Sequence, residues 1–131
     1  MSIDSIGNFL TIIRNGFVLG KRSVEAPFST LKFDIAQILK EEGFIKDAVL
    51  IEKENNKKYI KLFLKYVNGE SVIHELTRIS KPSNRYYVGA KNVKPVMGNL
   101  GLSILTTNKG LMTDKRAKEL SVGGEVICSV W

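Results

Sequence analysis

The residue types able to do chemistry concentrate in Gly101-Leu102-Ser103-Ile104-Leu105-Thr106-Thr107-Asn108-Lys109-Gly110-Leu111-Met112, running on into Thr113-Asp114-Lys115-Arg116-Ala117-Lys118. This stretch reads as an apolar strand, a tight polar turn and a short basic helix. Alternation along the strand sends Ser103, Leu105 and Thr107 one way and Leu102, Ile104 and Thr106 the other, so hydroxyls and a cation gather at its far end as a cluster of donors. Two readings fit the turn. It is a solvated hairpin loop in which Asn108 and Gly110 supply backbone freedom, or it is a place where short donors on a Gly-terminated bend meet a polyanion at its sugar hydroxyls and base edges.

The charge pattern bears on that choice. The chain has 131 residues and a formal charge of +7. Residues 1–76 hold eleven Lys/Arg against ten Asp/Glu, whereas residues 77–131 hold nine against three. From Thr77 to Thr113 there are six cations and no anion. One-signed charge repels itself unless a counter-charge arrives, which points to a nucleic acid or another polyanion.

Other signals exclude function classes. The single cysteine cannot close an internal disulfide and has no Cys or His companion at metal-ligand spacing, so a reducing compartment, no structural zinc and no cofactor are expected. No run approaches the roughly 18 apolar residues of a membrane span, so no membrane partner is expected. An enzyme acting on nucleotides lacks its Gly-rich phosphate loop, metal cluster or nucleophile-histidine pair. A DNA reader lacks a helix-turn-helix with a basic recognition face. The sole histidine, His74, is expected to be an ordinary strand residue.

The fold class expected is α+β in two small modules. The first, residues 1–76, is a helix-strand-helix-strand-strand unit. Asp4 caps a helix with Ile6, Phe9, Leu10 and Ile13 inward and Gly16 as its stop. Ser29 or Thr30 starts a second, with Leu31, Ile35, Ile38 and Leu39 inward, Lys32 outside that stripe and Gly43 as its C-terminal cap. Ala48 to Glu54 and Tyr59 to Val67 are strands joined across Asn55-Asn56. Asn68-Gly69 is a type I′ turn signal leading to a strand from Ser71 to Ile79.

The second module, residues 77–131, is mainly antiparallel β with a short helix. Lys81-Pro82-Ser83-Asn84-Arg85 makes a basic turn before a strand at Tyr86-Tyr87-Val88. Strict alternation places one of the two tyrosines inside; Tyr86 either stacks on a base or belongs to the core. Gly98-Asn99-Leu100-Gly101 has the form of a nucleotide-clamping GxxG loop but reads better as a turn. Gly123-Gly124 leads into a last strand, Glu125 to Trp131, with Val126, Cys128 and Val130 on one face. Glu125, a carboxylate among cations, either orients Lys109 or Arg116 or accepts a hydrogen bond from a nucleotide.

The order Gly101, two residues, Ile104-Leu105, Thr106-Thr107, two residues, Gly110-Leu111-Met112, four residues, Ala117-Lys118 resembles the signature of the ribosomal protein S-eight family of the small ribosomal subunit. Asp4-Ser5-Ile6, Ile13-Arg14-Asn15-Gly16, Lys40-Glu41-Glu42-Gly43-Phe44-Ile45, Arg78-Ile79-Ser80-Lys81-Pro82 and Gly123-Gly124-Glu125-Val126-Ile127-Cys128 resemble the family in its usual order. The resemblance implies a structural, non-enzymatic protein of the cytoplasmic or an organellar ribosome. It would bind the central domain of small-subunit ribosomal RNA, aid its assembly and touch neighbouring small-subunit proteins. Some family members also bind their own mRNA. The RNA-binding set implied here is Arg14, Asn15, Thr30, Lys32, Arg85, Tyr86, Thr106, Thr107, Asn108, Lys109, Gly110 and Glu125. The chain departs from the family's Ser-Thr-Ser at Thr106-Thr107-Asn108, from a common basic residue at Ile12 and from a common Gly at Ser83 or Asn84.

Overall fold

A computed structural model of the chain describes residues 5–93 and 101–131. Helices combine with antiparallel sheets, an α+β architecture. The chain divides into two compact units, Asn8–Ile73 and His74–Trp131, the latter also taking in residues 5–7 at the start of the first helix. The readings that rest on Asp4 and on Gly98-Asn99-Leu100 lie outside the described residues.

In the first unit, α1 (Ser5–Val18), β1 (Ser23–Pro27), α2 (Thr30–Glu41), β2 (Ile45–Lys53) and β3 (Lys57–Leu64) follow in order, and the sheet runs β1-β3-β2. The buried side of α1 carries Phe9, Leu10, Ile13 and Phe17 at helical spacing. Ile60, Leu62 and Leu64 alternate into the core from β3, and Ala26 and Val24 stand opposite the first two on β1. Burying a large aliphatic or Phe side chain is worth roughly 1.5–3 kcal/mol, so these residues carry the unit's stability.

Gly16 does not stop α1. It lies inside the helix, where a methyl would meet Val24 Cγ1 at 2.5 Å and Leu64 Cδ1 at 2.9 Å, so its lack of a side chain lets the helix lie close on the sheet. The stop is Gly20, at φ +66, whose N–H donates to the Phe17 carbonyl while that of Lys21 donates to Gly16.

Ser29 caps α2 by accepting from the Lys32 N–H, and Gly43 at φ +82 closes its other end. The buried stripe is Lys32, Ile35, Ala36 and Leu39, shifted from the expected one: Leu31 turns outward and Lys32 turns in. A lysine can occupy that place because its stem is apolar and its ammonium reaches the Pro27 carbonyl, at 3.4 Å. Burial pulls its pKa below the ordinary lysine value. The β2–β3 connection is a three-residue turn, Glu54–Asn56, between paired Lys53 and Lys57, and it reverses through Asn55 (φ 66) and Asn56 (φ 58), residues that tolerate positive φ.

Asn68 (φ 54) and Gly69 (φ 80) do the same for a two-residue hairpin, β4 (Tyr66–Val67) with β5 (Glu70–Ser71). The expected strand from Ser71 to Ile79 is broken. The N–H groups of His74 and Glu75 both donate to the Trp131 carbonyl, and ladder pairing resumes only in β6 (Leu76–Arg78). His74 is exposed, with its ring centroid 5.1 Å from that of Trp131.

The second unit is built on β10 (Gly124–Val130). One edge of it pairs with β8 (Leu102–Thr107), which in turn pairs with β9 (Gly110–Thr113). The other edge takes β6 along Cys128–Val130 and β7 (Tyr87–Val88) along Gly124 and Glu125. Strict alternation in β10 fails because the register with β8 shifts between Val126 and Cys128. That bulge lets Val126, Ile127 and Cys128 all be buried. The thiol of Cys128 is pushed up to about 12 by burial, which makes it a small hydrophobe and not a nucleophile. Leu105, Met112, Ala117 and Val126 form a core against which Ile79, Val88 and Leu120 pack.

Candidate nucleic-acid interface

The bend at Thr106–Gly110 is a hairpin. After β8 the chain turns at Asn108-Lys109 and returns as β9, a strand where the sequence leads one to expect the turn to run directly into the helix, before α3 (Asp114–Glu119). Only Gly110 (φ +107) is left-handed here; Asn108 is not, so the backbone freedom is needed at one position, not two. Thr106 and Thr107 are partly exposed, and Asn108, Lys109 and Gly110 are exposed.

The donor cluster is more self-contained than expected. Thr107 Oγ1 donates to the Gly110 carbonyl at 2.9 Å and accepts from the Lys109 N–H at 3.1 Å. The hydroxyl thus ties the bend to itself, and toward an incoming ligand it has a lone pair to give and not a proton.

Register brings a second group beside the bend. Glu125 on β10 faces Tyr87 on β7 and Thr106 on β8, and directly opposed residues of antiparallel strands share a face. Tyr87, Glu125 and Thr106 therefore form one row across three strands. Next to that row Gly124 lies between Val88 and Thr107 with no side chain.

Glu125 does not orient Lys109 or Arg116. Its carboxylate accepts from Arg85 Nη1 at 3.0 Å and from the Ser80 hydroxyl, while Arg116 pairs with Glu119 in its own helix. Burial pushes the Glu125 carboxyl up, but the hydrogen bonds from Ser80 and Arg85 outweigh it and hold the group below its ordinary value. Its folded pKa is depressed. The pairing is therefore intact at neutral pH and is lost only as pH falls through that lowered value.

Neither Tyr86 nor Tyr87 is inside: they are 52% and 68% exposed. Alternation fails because β7 is only two residues long and Tyr86 precedes it. The Tyr86 carbonyl accepts from the Val126 N–H, which keeps its backbone on the sheet while its ring stays out.

Gly123 and Gly124 are required sterically: a methyl would overlap the Val88 carbonyl oxygen at the first and the Thr106 carbonyl oxygen at the second. Gly124→Ala is expected to lower stability by about 1–3 kcal/mol, since backbone and not a flexible side chain would have to move. A denaturant midpoint shifted down at unchanged slope checks this; an unshifted midpoint contradicts it.

Residues 4–131 match the family model described as Ribosomal protein S8. The chain belongs to the ribosomal protein S8 family. It is 49% identical to the small ribosomal subunit protein uS8 of Thermosipho africanus (strain TCF52B), over 98% of each chain. With the protein of that name from Thermodesulfovibrio yellowstonii the identity is 48% over the full length of both. With that from Buchnera aphidicola subsp. Cinara cedri it is 48% over 97% of this chain and 96% of the relative.

In this S8 family chain the twelve candidate residues fall into two sets. Arg85, Tyr86, Thr106, Thr107, Asn108, Lys109, Gly110 and Glu125 all lie in the second unit, on β8, β10 and the segments next to them. Arg14, Asn15, Thr30 and Lys32 lie in the first. Arg14, Asn15 and Thr30 are exposed, with Arg14 Nη2 donating to Thr11 Oγ1 at 3.0 Å, whereas Lys32 is buried. Sequence reasoning missed three residues of the second set's surroundings. Tyr87 is the more exposed tyrosine, and the adjacent pair is its only signal in the sequence. Ser80 is fully buried, and Asp114, 3% exposed, accepts from the Ser103 N–H at 3.3 Å. Both stand in stretches that the sequence singles out, but nothing local marks their burial.

Proposed function

We propose that this protein is a structural component of the small ribosomal subunit that binds the central domain of its ribosomal RNA directly and aids its assembly. The second unit is the primary contact. Its cations hold phosphates through counterion release, and Tyr86, Tyr87, Arg85, Glu125 and the Thr106–Gly110 bend read an irregular minor-groove surface. Exposed tyrosines stack on unpaired bases, and Glu125 accepts from a base amine or a sugar hydroxyl with the part of its carboxylate that Ser80 and Arg85 leave open. Arg14, Asn15 and Thr30 in the first unit make secondary contacts to RNA or to neighbouring small-subunit proteins, and Lys32 contributes there through its ammonium alone.

The observation that carries this reading is the arrangement of the second unit. An exposed hydroxyl-bearing bend, two exposed tyrosines and an arginine held by a carboxylate occupy neighbouring strands in a half of the chain with nine cations against three anions.

A salt series tests it. Binding to a central-domain RNA fragment with an internal loop is compared with binding to a regular duplex of the same length. Both affinities fall with ionic strength, and a specific binder keeps a gap of at least about 10³ between them, as specific nucleic-acid complexes do. Converging curves would reduce the protein to a nonspecific polycation. Turnover of the RNA would favour an enzyme.

A further inference from the structure

Between β6 and β7 the chain makes a loop, Lys81 to Arg85, whose two ends are fastened to one residue of β10. The Ser80 N–H donates to the Val126 carbonyl at 3.0 Å, and the Val126 N–H donates to the Tyr86 carbonyl at 3.0 Å. Inside the loop, Lys81 and Asn84 exchange two backbone hydrogen bonds, at 3.1 and 3.0 Å, so its tip is a closed turn. The neck of the loop is crossed by one side chain. Ser80 Oγ accepts from the Tyr86 N–H at 3.1 Å and donates to Glu125, whose same oxygen, Oε2, takes Arg85.

We infer that Ser80 is a positioning residue for RNA recognition: its buried hydroxyl pins the neck of the basic loop and fixes Glu125, and through them it sets where Arg85 and Tyr86 stand. This rests on the function proposed above. The chemistry is specific to a hydroxyl. Ser80 has no exposed surface, so it touches no ligand itself. Its oxygen must donate and accept at once, which alanine cannot do and a thiol does weakly. A carboxylate alone would tolerate several positions for an exposed arginine. With its Oε2 held by the buried Ser80 hydroxyl, it favours one, and part of the entropy of ordering Arg85 is spent before RNA arrives.

The test is a double-mutant cycle between Ser80→Ala and Arg85→Ala, read with the looped RNA fragment and the regular duplex, and with thermal unfolding of each variant. In the otherwise wild-type chain, Ser80→Ala should lower affinity for the looped RNA about tenfold and change that for the duplex less than twofold. In the Arg85→Ala background its effect on the looped RNA should shrink to about threefold or less, because of the two residues it positions only Tyr86, held through its N–H, then remains. Any loss of thermal stability should be the same in both backgrounds. Where Ser80→Ala does not fold, Ser80→Cys keeps the volume, weakens both hydrogen bonds and should show the same pattern at smaller amplitude. An undiminished tenfold loss without Arg85, or equal losses on both RNAs, would assign Ser80 to general stability and overturn the inference. If wild type itself fails to prefer the looped RNA, the proposed function falls, and the inference falls with it.

Discussion

Glu125→Ala is expected to weaken binding to the looped RNA by roughly 1–3 kcal/mol while binding to a regular duplex stays level or tightens slightly. The sign is what makes this informative. Removing a carboxylate takes the formal charge from the +7 of the natural chain to +8, and by counterion release alone every polyanion should then be bound better. The opposite is expected because Glu125 holds Arg85 in place at 3.0 Å and, in the proposed complex, accepts from the RNA. Arg85 is half exposed, so once released it is solvated and costs the fold little. Glu125→Gln should lie between the two, since its amide oxygen still accepts from Ser80 but attracts the guanidinium less. Parallel tightening on both RNAs in a filter-binding or calorimetric titration would remove Glu125 from the recognition surface.

Thr107 should show a different pattern, in which the hydroxyl and not the shape of the side chain decides. Its two hydrogen bonds, to the Gly110 carbonyl and from the Lys109 N–H, hold the bend closed. Thr107→Ala and Thr107→Val both remove them and should each cost roughly 1–3 kcal/mol of binding to the looped RNA. Thr107→Ser keeps the oxygen and should stay within about threefold of wild type, a cost of well under 1 kcal/mol. Valine preserves the volume and branching of threonine, so wild-type affinity in Thr107→Val would show that packing, and not the hydroxyl, is what matters. The surface-exposed position of the bend predicts that all three variants fold with near-native unfolding midpoints.

The parts of this molecule that are legible in its sequence are those decided locally. Ser29 and Gly43 bracket α2 because capping needs only the neighbouring backbone, and the Asn55-Asn56 and Asn68-Gly69 reversals follow from residues that tolerate positive φ. The exposed Thr106–Gly110 bend is legible for the same reason. What is not legible depends on neighbours far along the chain. Gly16 looks like a helix stop until Val24 and Leu64 are seen pressed against it. Alternation in β10 holds only until the bulge at Ile127, whose cause lies in its pairing with β8. Lys32 reads as an outward residue because helical periodicity is blind to a carbonyl, that of Pro27, waiting on another element. Ser80 and Glu125 are 45 positions apart, and nothing in either segment announces the other. Local signals thus located the candidate surface, while tertiary pairing supplied the geometry that holds its arginine.

Amide chemical-shift mapping of the folded chain on titration with the looped RNA fragment tests the account most directly. It should find the largest changes at Tyr86, Tyr87, Glu125 and Thr106 to Gly110 together, with β2 of the first unit unmoved. Changes confined to the first unit, or spread evenly over the lysines of both, would contradict it.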